Sequence, residues 1–142
     1  PGKPPILKNG FGFLSISHCI NCILIGWSNN EIGIDIECID RMINTEKFID
    51  RFLLKEEKFF LEKHSKENLD HKAIQIWVSK EAAIKWQKGN LFSELKKWEV
   101  DKSLKWAFHN DSKRGVKIYN YKFKEWTYSI ACNALLKPIL IE

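Results

Sequence analysis

The sequence is short of the residues that interrupt regular structure. Seven glycines and four prolines in 142 residues exclude collagen-like and low-complexity chains. Long apolar runs are missing as well. The longest, Cys22 to Trp27, is strand-sized, far below the ~20 residues that a membrane-spanning helix needs, and no basic-then-apolar leader is visible. Arginine is scarce: Arg41, Arg51 and Arg114 supply three of the 23 positive charges. Base edges are read best by the bidentate guanidinium fork, so this shortage weighs against sequence-specific DNA binding. The CxxC formed by Cys19 and Cys22 has no second pair to complete a four-ligand zinc site. Only Cys38 and Cys132 remain, both in apolar stretches where free cysteine acts as a small core residue. A disulfide framework does not suit a chain of this size with an ordinary core. The expectation is reduced thiols in a cytoplasmic setting.

What is present suits a packed core. Hydrophobic residues make up 44% and aromatics 13%, with six Trp, and the length is that of a single domain. The formal charge of +5 attracts phosphate-bearing or acidic partners, although the lysines are scattered and each reads as part of a solvated surface. Alternation predicts strands at Phe13 to His18, Cys22 to Ser28 and Glu31 to Cys38, the last two joined as a hairpin through the turn signal Asn29-Asn30. Helical spacing covers Thr45 to Phe52, Lys55 to His64 and His71 to Lys88, with Ser65 to Asp70 reading as a loop. Strand-like runs follow at Lys96 to Val100, Leu104 to His109, Val116 to Phe123 and Thr127 to Asn133. Strands, then helices, then strands predict an α+β fold with an antiparallel sheet and packed helices.

Chemistry concentrates in two segments. In Ile32-Gly33-Ile34-Asp35-Ile36-Glu37 the period of two puts three Ile on one face and Gly33, Asp35 and Glu37 on the other. Neighbouring carboxylates repel, which raises one pKa, unless a cation such as Mg²⁺ lies between them. By spacing alone the plainer reading, the wet face of a half-exposed strand, is favoured. The stretch Ala73 to Trp86 alters the balance. It is apolar on most of its circumference and therefore largely buried, yet it carries Lys80, Glu81 and Lys85 in its middle. Glu81 and Lys85 form a favourable i,i+4 pair, which is one complete explanation of them. A third carboxylate with two ammonium groups facing the strand pair is another, a Mg²⁺–phosphate site. Upstream, Lys3 lies between Gly2 and Pro4, and Ser17-His18 ends the first strand, where phosphate contact is easy.

Together these segments resemble a known family. Gly2-Lys3-Pro4, Ser15-Ile16-Ser17-His18, Gly33-Ile34-Asp35-Ile36-Glu37 and Trp77-Val78-Ser79-Lys80-Glu81-Ala82-Ala83-Ile84-Lys85 occur in the order and spacing of the 4'-phosphopantetheinyl transferases. The larger, surfactin-synthetase-activating (Sfp) type is the nearer likeness, and Arg51-Phe52-Leu53 with Glu57 resembles its intervening segment. The match runs from Pro1 to about Lys88 and more loosely to Cys132. Val78 departs from the family, which often has Ser, Cys or Thr there. Leu54 replaces a frequent Ser or Thr, removing a helix N-cap.

The resemblance implies transfer of phosphopantetheine from coenzyme A to a serine of an apo acyl or peptidyl carrier protein. By position, Asp35, Glu37 and Glu81 would hold Mg²⁺, and Glu81 would also be the general base. Lys80 and Lys85 would stabilise phosphate charge, Lys85 assisting the leaving group, while Lys3, His18 and Ser17 would bind coenzyme A. The larger type consists of two similar halves with coenzyme A between them. This chain, read as one domain over residues 1–142, is expected to be the C-terminal half of such a pseudo-dimer, needing the upstream half or self-association for a full pocket. Two alternatives differ in class. A basic single-stranded nucleic-acid-binding module would use exposed aromatics for stacking, but leaves Asp35, Glu37 and Glu81 without purpose. The other is a non-catalytic carrier-binding domain. The expected partners are thus coenzyme A and a carrier protein, with neither nucleic acid nor membrane.

Overall fold

The computed structural model describes residues 5, 7–8, 10–63 and 65–134. The first two strands, β1 (Phe13–Cys19) and β2 (Cys22–Ser28), form a two-stranded antiparallel sheet. Its tight turn places Asn21 at φ 59°, a left-handed conformation that Asn tolerates. Next come β3 (Gly33–Cys38), α1 (Thr45–Phe52), α2 (Lys55–Leu61), α3 (Lys66–Trp86) and a short α4 (Leu91–Glu94). The chain then folds through β4 (Trp98–Val100), β5 (Trp106–His109), β6 (Gly115–Phe123) and β7 (Trp126–Ala131). The second sheet has the order β3-β7-β6-β5-β4, antiparallel throughout. The predicted α+β class therefore holds, and no described helix is long and apolar enough to cross a membrane.

Two local expectations are corrected. The segments at 22–28 and 33–38 do not pair with each other: β2 returns along β1, and β3 pairs with β7 in the register Asp35↔Ser129. A two-residue turn at Ile20-Asn21 closes the first hairpin before Asn29-Asn30 is reached, so those asparagines join two sheets. The polar stretch before His71 is also not a loop, because α3 already begins at Lys66. Packing of the apolar remainder of the helix outweighs weak local propensity.

The large sheet separates two apolar clusters. On one face α3 packs with Phe48, Leu53, Leu61, Trp98, Val116 and Ala131. On the other, β1 and β2 cover Ile34, Ile36, Tyr128 and Ile130. The approach of α3 is close because small residues line the seam. A Cβ on Gly33 would stand 2.0 Å from the Ala82 carbonyl oxygen and 2.2 Å from the Trp86 nitrogen. Beside Gly33 lies its cross-strand partner Ala131, with Ser129 two residues away on β7. The buried Ser79 hydroxyl reaches Asn120 Oδ1 at 3.1 Å and Ser129 Oγ at 3.2 Å, which joins α3 to β6 and β7 with satisfied polar groups.

The free edge of β3 is closed by side chains. Ser15 Oγ accepts from the Ile34 N–H at 3.1 Å, and Ser17 Oγ accepts from the Ile36 N–H at 3.4 Å. These bonds satisfy main-chain donors that a terminal strand would otherwise leave unpaired.

Candidate active site

Asp35 is the centre of the polar cluster. It lies on the Gly33 side of β3, facing α3, and is buried. Ser17 Oγ donates to its Oδ1 at 2.7 Å, and Lys85 Nζ donates to the same oxygen at 2.6 Å. Burial raises the proton affinity of Asp35, and Glu37 adds to the effect; Lys85 and Ser17 oppose it. Glu81 stands one helical turn before Lys85 on α3. Its pKa is pushed up to about 8, first by burial and then by the neighbouring Asp35 carboxylate, with Glu37 contributing. The periods of strand and helix thus bring Asp35, Glu81 and Lys85 together, the close approach permitted by Gly33.

Glu37 lies on the same face two residues on. Its Oε2 pairs with Arg41 Nη1, and its Oε1 accepts from the Cys38 N–H at 3.0 Å. The Arg41 guanidinium also lies 5.0 Å over the Trp77 ring. Arg41 was not singled out from sequence, although its i+4 spacing from Glu37 is visible there.

Lys80 is corrected. Sequence placed it beside Lys85 on phosphate, but five residues along a helix turn a side chain through ~140°. Lys80 is wholly buried on another side of α3, donating to Glu57 Oε2 at 2.8 Å and to the Phe52 carbonyl at 3.1 Å. Burial lowers its pKa, and Glu57 opposes the shift. Glu57 in turn accepts from the Val100 N–H at 2.9 Å and the Leu54 N–H at 2.8 Å. The second bond ties the first turn of α2, where Leu54 supplies no side-chain cap. A cleft lined in part by Glu56, Glu57, Glu99 and Asp101 adjoins this pair, and none of Asp35, Glu81 or Lys85 lines it.

His18 follows Ser17 on β1 and so projects from the opposite face of the hairpin, exposed to solvent. Ser17 faces inward and spends its hydroxyl on Asp35 and β3. Lys3 lies outside the described residues. Ser15, which the sequence gives only as part of the segment Ser15-Ile16-Ser17-His18, lies on the Ser17 face and takes a structural role.

The donor set can be tested against a hard cation. Asp35 is buried and Glu81 half-buried, the Asp35 carboxylate raises the proton affinity of Glu81, and Glu37 adds to both, an environment that a divalent cation relieves. Asp35 and Glu81 fit. Among the described residues no three His, Cys, Asp or Glu side chains are gathered as a metal shell, in keeping with Glu37 being engaged by Arg41.

The site is thus two carboxyls and a lysine brought together between one strand and one helix of an antiparallel α+β domain. The chain belongs to the 4'-phosphopantetheinyl transferase superfamily, whose family model matches residues 31–133. The match spans β3 through β7 and therefore includes Asp35, Glu37, Glu81 and Lys85. No curated protein matches the chain.

Proposed function

We propose that this protein transfers 4'-phosphopantetheine from coenzyme A to a serine hydroxyl of an apo acyl or peptidyl carrier protein, with Mg²⁺ as its metal. The observation that carries this reading is the meeting of Asp35, Glu81 and Lys85 within the superfamily match. The carrier serine oxygen attacks the phosphorus that bears the pantetheine arm. The pyrophosphate bond breaks, and adenosine 3',5'-bisphosphate leaves. The attacking hydroxyl must lose its proton, and Glu81, ionised once a cation offsets the neighbouring carboxylates, takes it directly or through a water. Lys85 sets an ammonium beside Asp35 and offsets charge on the leaving phosphate. Asp35 and Glu81, joined by Glu37 on its release from Arg41, would hold Mg²⁺, whose charge would offset that of the pyrophosphate. His18, with its ring in solvent, and Lys3 are the proposed grips on the remaining coenzyme A phosphates.

By its likeness to the larger transferase type, the coenzyme A pocket is completed by a second half or a second copy. The test is incubation with coenzyme A, Mg²⁺ and an apo carrier protein, followed by intact-mass measurement of the carrier. A gain of one phosphopantetheine arm is expected. An unmodified carrier, with a longer form of the chain as well, would overturn the reading.

A further inference from the structure

We propose that the Ser17 hydroxyl is a positioning group that fixes the Asp35 carboxylate for its cation. The inference rests on the metal reading above. A serine hydroxyl has one proton to donate and two lone pairs to receive. Ser17 Oγ receives the Ile36 N–H at 3.4 Å, and its own proton is directed to Asp35 Oδ1 at 2.7 Å. The direction of this second bond needs no assignment of tautomer, because an ionised carboxylate only accepts. Lys85 Nζ lands on the same oxygen at 2.6 Å. Two donors from two elements therefore anchor Oδ1 and fix the orientation of the carboxylate toward Glu81. Ser17 is itself buried, and its face of β1 is turned toward β3. The exposed His18 is the neighbour suited to a large, solvent-borne ligand.

Ser15 supplies an internal control. It makes the equivalent bond to β3, accepting the Ile34 N–H at 3.1 Å, two residues before Ser17 on the same face. If Ser17 only holds the hairpin on β3, the two serines are equivalent. If it also sets Asp35, they differ. Outer-sphere hydrogen bonds to metal ligands typically alter metal affinity 10- to 100-fold.

The experiment is Mn²⁺ titration of the full chain without coenzyme A, read by electron paramagnetic resonance of free Mn²⁺, alongside thermal melts. Ser17→Ala is expected to weaken Mn²⁺ binding by ~10-fold or more, and Ser15→Ala to lower the melting temperature with Mn²⁺ affinity retained. Ser17→Cys keeps the side-chain volume with a poor donor and is expected to weaken Mn²⁺ binding too, which covers failure of the alanine variant to fold. In an Asp35→Asn background, Ser17→Ala should cost nothing further, since the two act as one unit. At saturating Mn²⁺ the KM for coenzyme A should be unchanged by Ser17→Ala. Retained Mn²⁺ affinity with a raised KM would overturn the proposal in favour of a coenzyme A contact. Equal losses in Ser15→Ala and Ser17→Ala would overturn it in favour of a structural rung. No Mn²⁺ uptake by the wild-type chain, or uptake indifferent to Asp35→Asn, would overturn the metal reading and this proposal with it.

Discussion

A single carboxyl group, that of Glu81, ties chemistry to stability. Its pKa rises from an ordinary 4.5 to about 8 in the folded chain. Between those values the folded state binds more protons than the unfolded state, so stability falls as pH rises through the window. In chelator, the wild-type chain should therefore melt at a lower temperature near pH 8 than near pH 5. Glu81→Gln should flatten this dependence and be the more stable protein on the alkaline side, as thermal melts across pH would read. A wild-type slope retained in Glu81→Gln would assign the titration elsewhere. The same substitution removes the proposed base and proposed metal ligand, and should lower transfer by about 10²-fold or more. Lys80 is expected to behave in the opposite manner. Lys80→Met strands the buried Glu57, which typically costs ~3–5 kcal/mol, while the KM for coenzyme A stays unchanged in the folded fraction. Urea unfolding measures the first and steady-state kinetics the second; full stability with a raised KM would return Lys80 to the phosphate.

At the scale of elements, the site is the contact between one strand and one helix. Gly33 sets its width, since a Cβ there would stand 2.0 Å from the backbone oxygen of Ala82. Backbone cannot yield as a flexible side chain does, so Gly33→Ala should push α3 off β3. We expect destabilisation beyond ~3 kcal/mol by urea unfolding, in the range of severe overpacking. Soluble folded protein at high temperature would show that the seam yields more easily than this packing implies. The hairpin β1–β2 is the second contributor. Its serines reach the edge of β3 without main-chain pairing, so a strand outside the large sheet holds a carboxylate on it.

At the scale of the molecule, the formal charge of +5 gives the surface a field suited to acidic partners. Encounter with an acidic carrier protein should be steered by it. We therefore expect kcat/KM for the carrier to fall as salt is raised, while kcat changes little. A salt-independent kcat/KM would remove steering from the account. Lysines supply this field; the ammonium of Lys80 is spent in the interior on Glu57, where it holds α2, α3 and β4 together.

Much of this was legible without coordinates. Alternation along Ile32 to Glu37 put Gly33, Asp35 and Glu37 on one face, because a strand's period of two is a local property. The apolar circumference of Ala73 to Trp86 marked a buried helix whose charged residues needed partners. Spacing along the chain carried the family resemblance that the match over residues 31–133 supports. Other features depend on what lies opposite. Whether β3 pairs with β2 or with β7 is a choice between contacts of very different sequence separation, and the turn at Ile20-Asn21 had already claimed β2. Lys80 and Lys85 read alike as helical lysines. Only the packing of α3 sends one to Glu57 and the other to Asp35. The sequence by itself determined which side chains share a face, since that follows from backbone periods. Tertiary structure alone decided which faces meet, because buried charges take whichever partner the packing of other elements brings within reach.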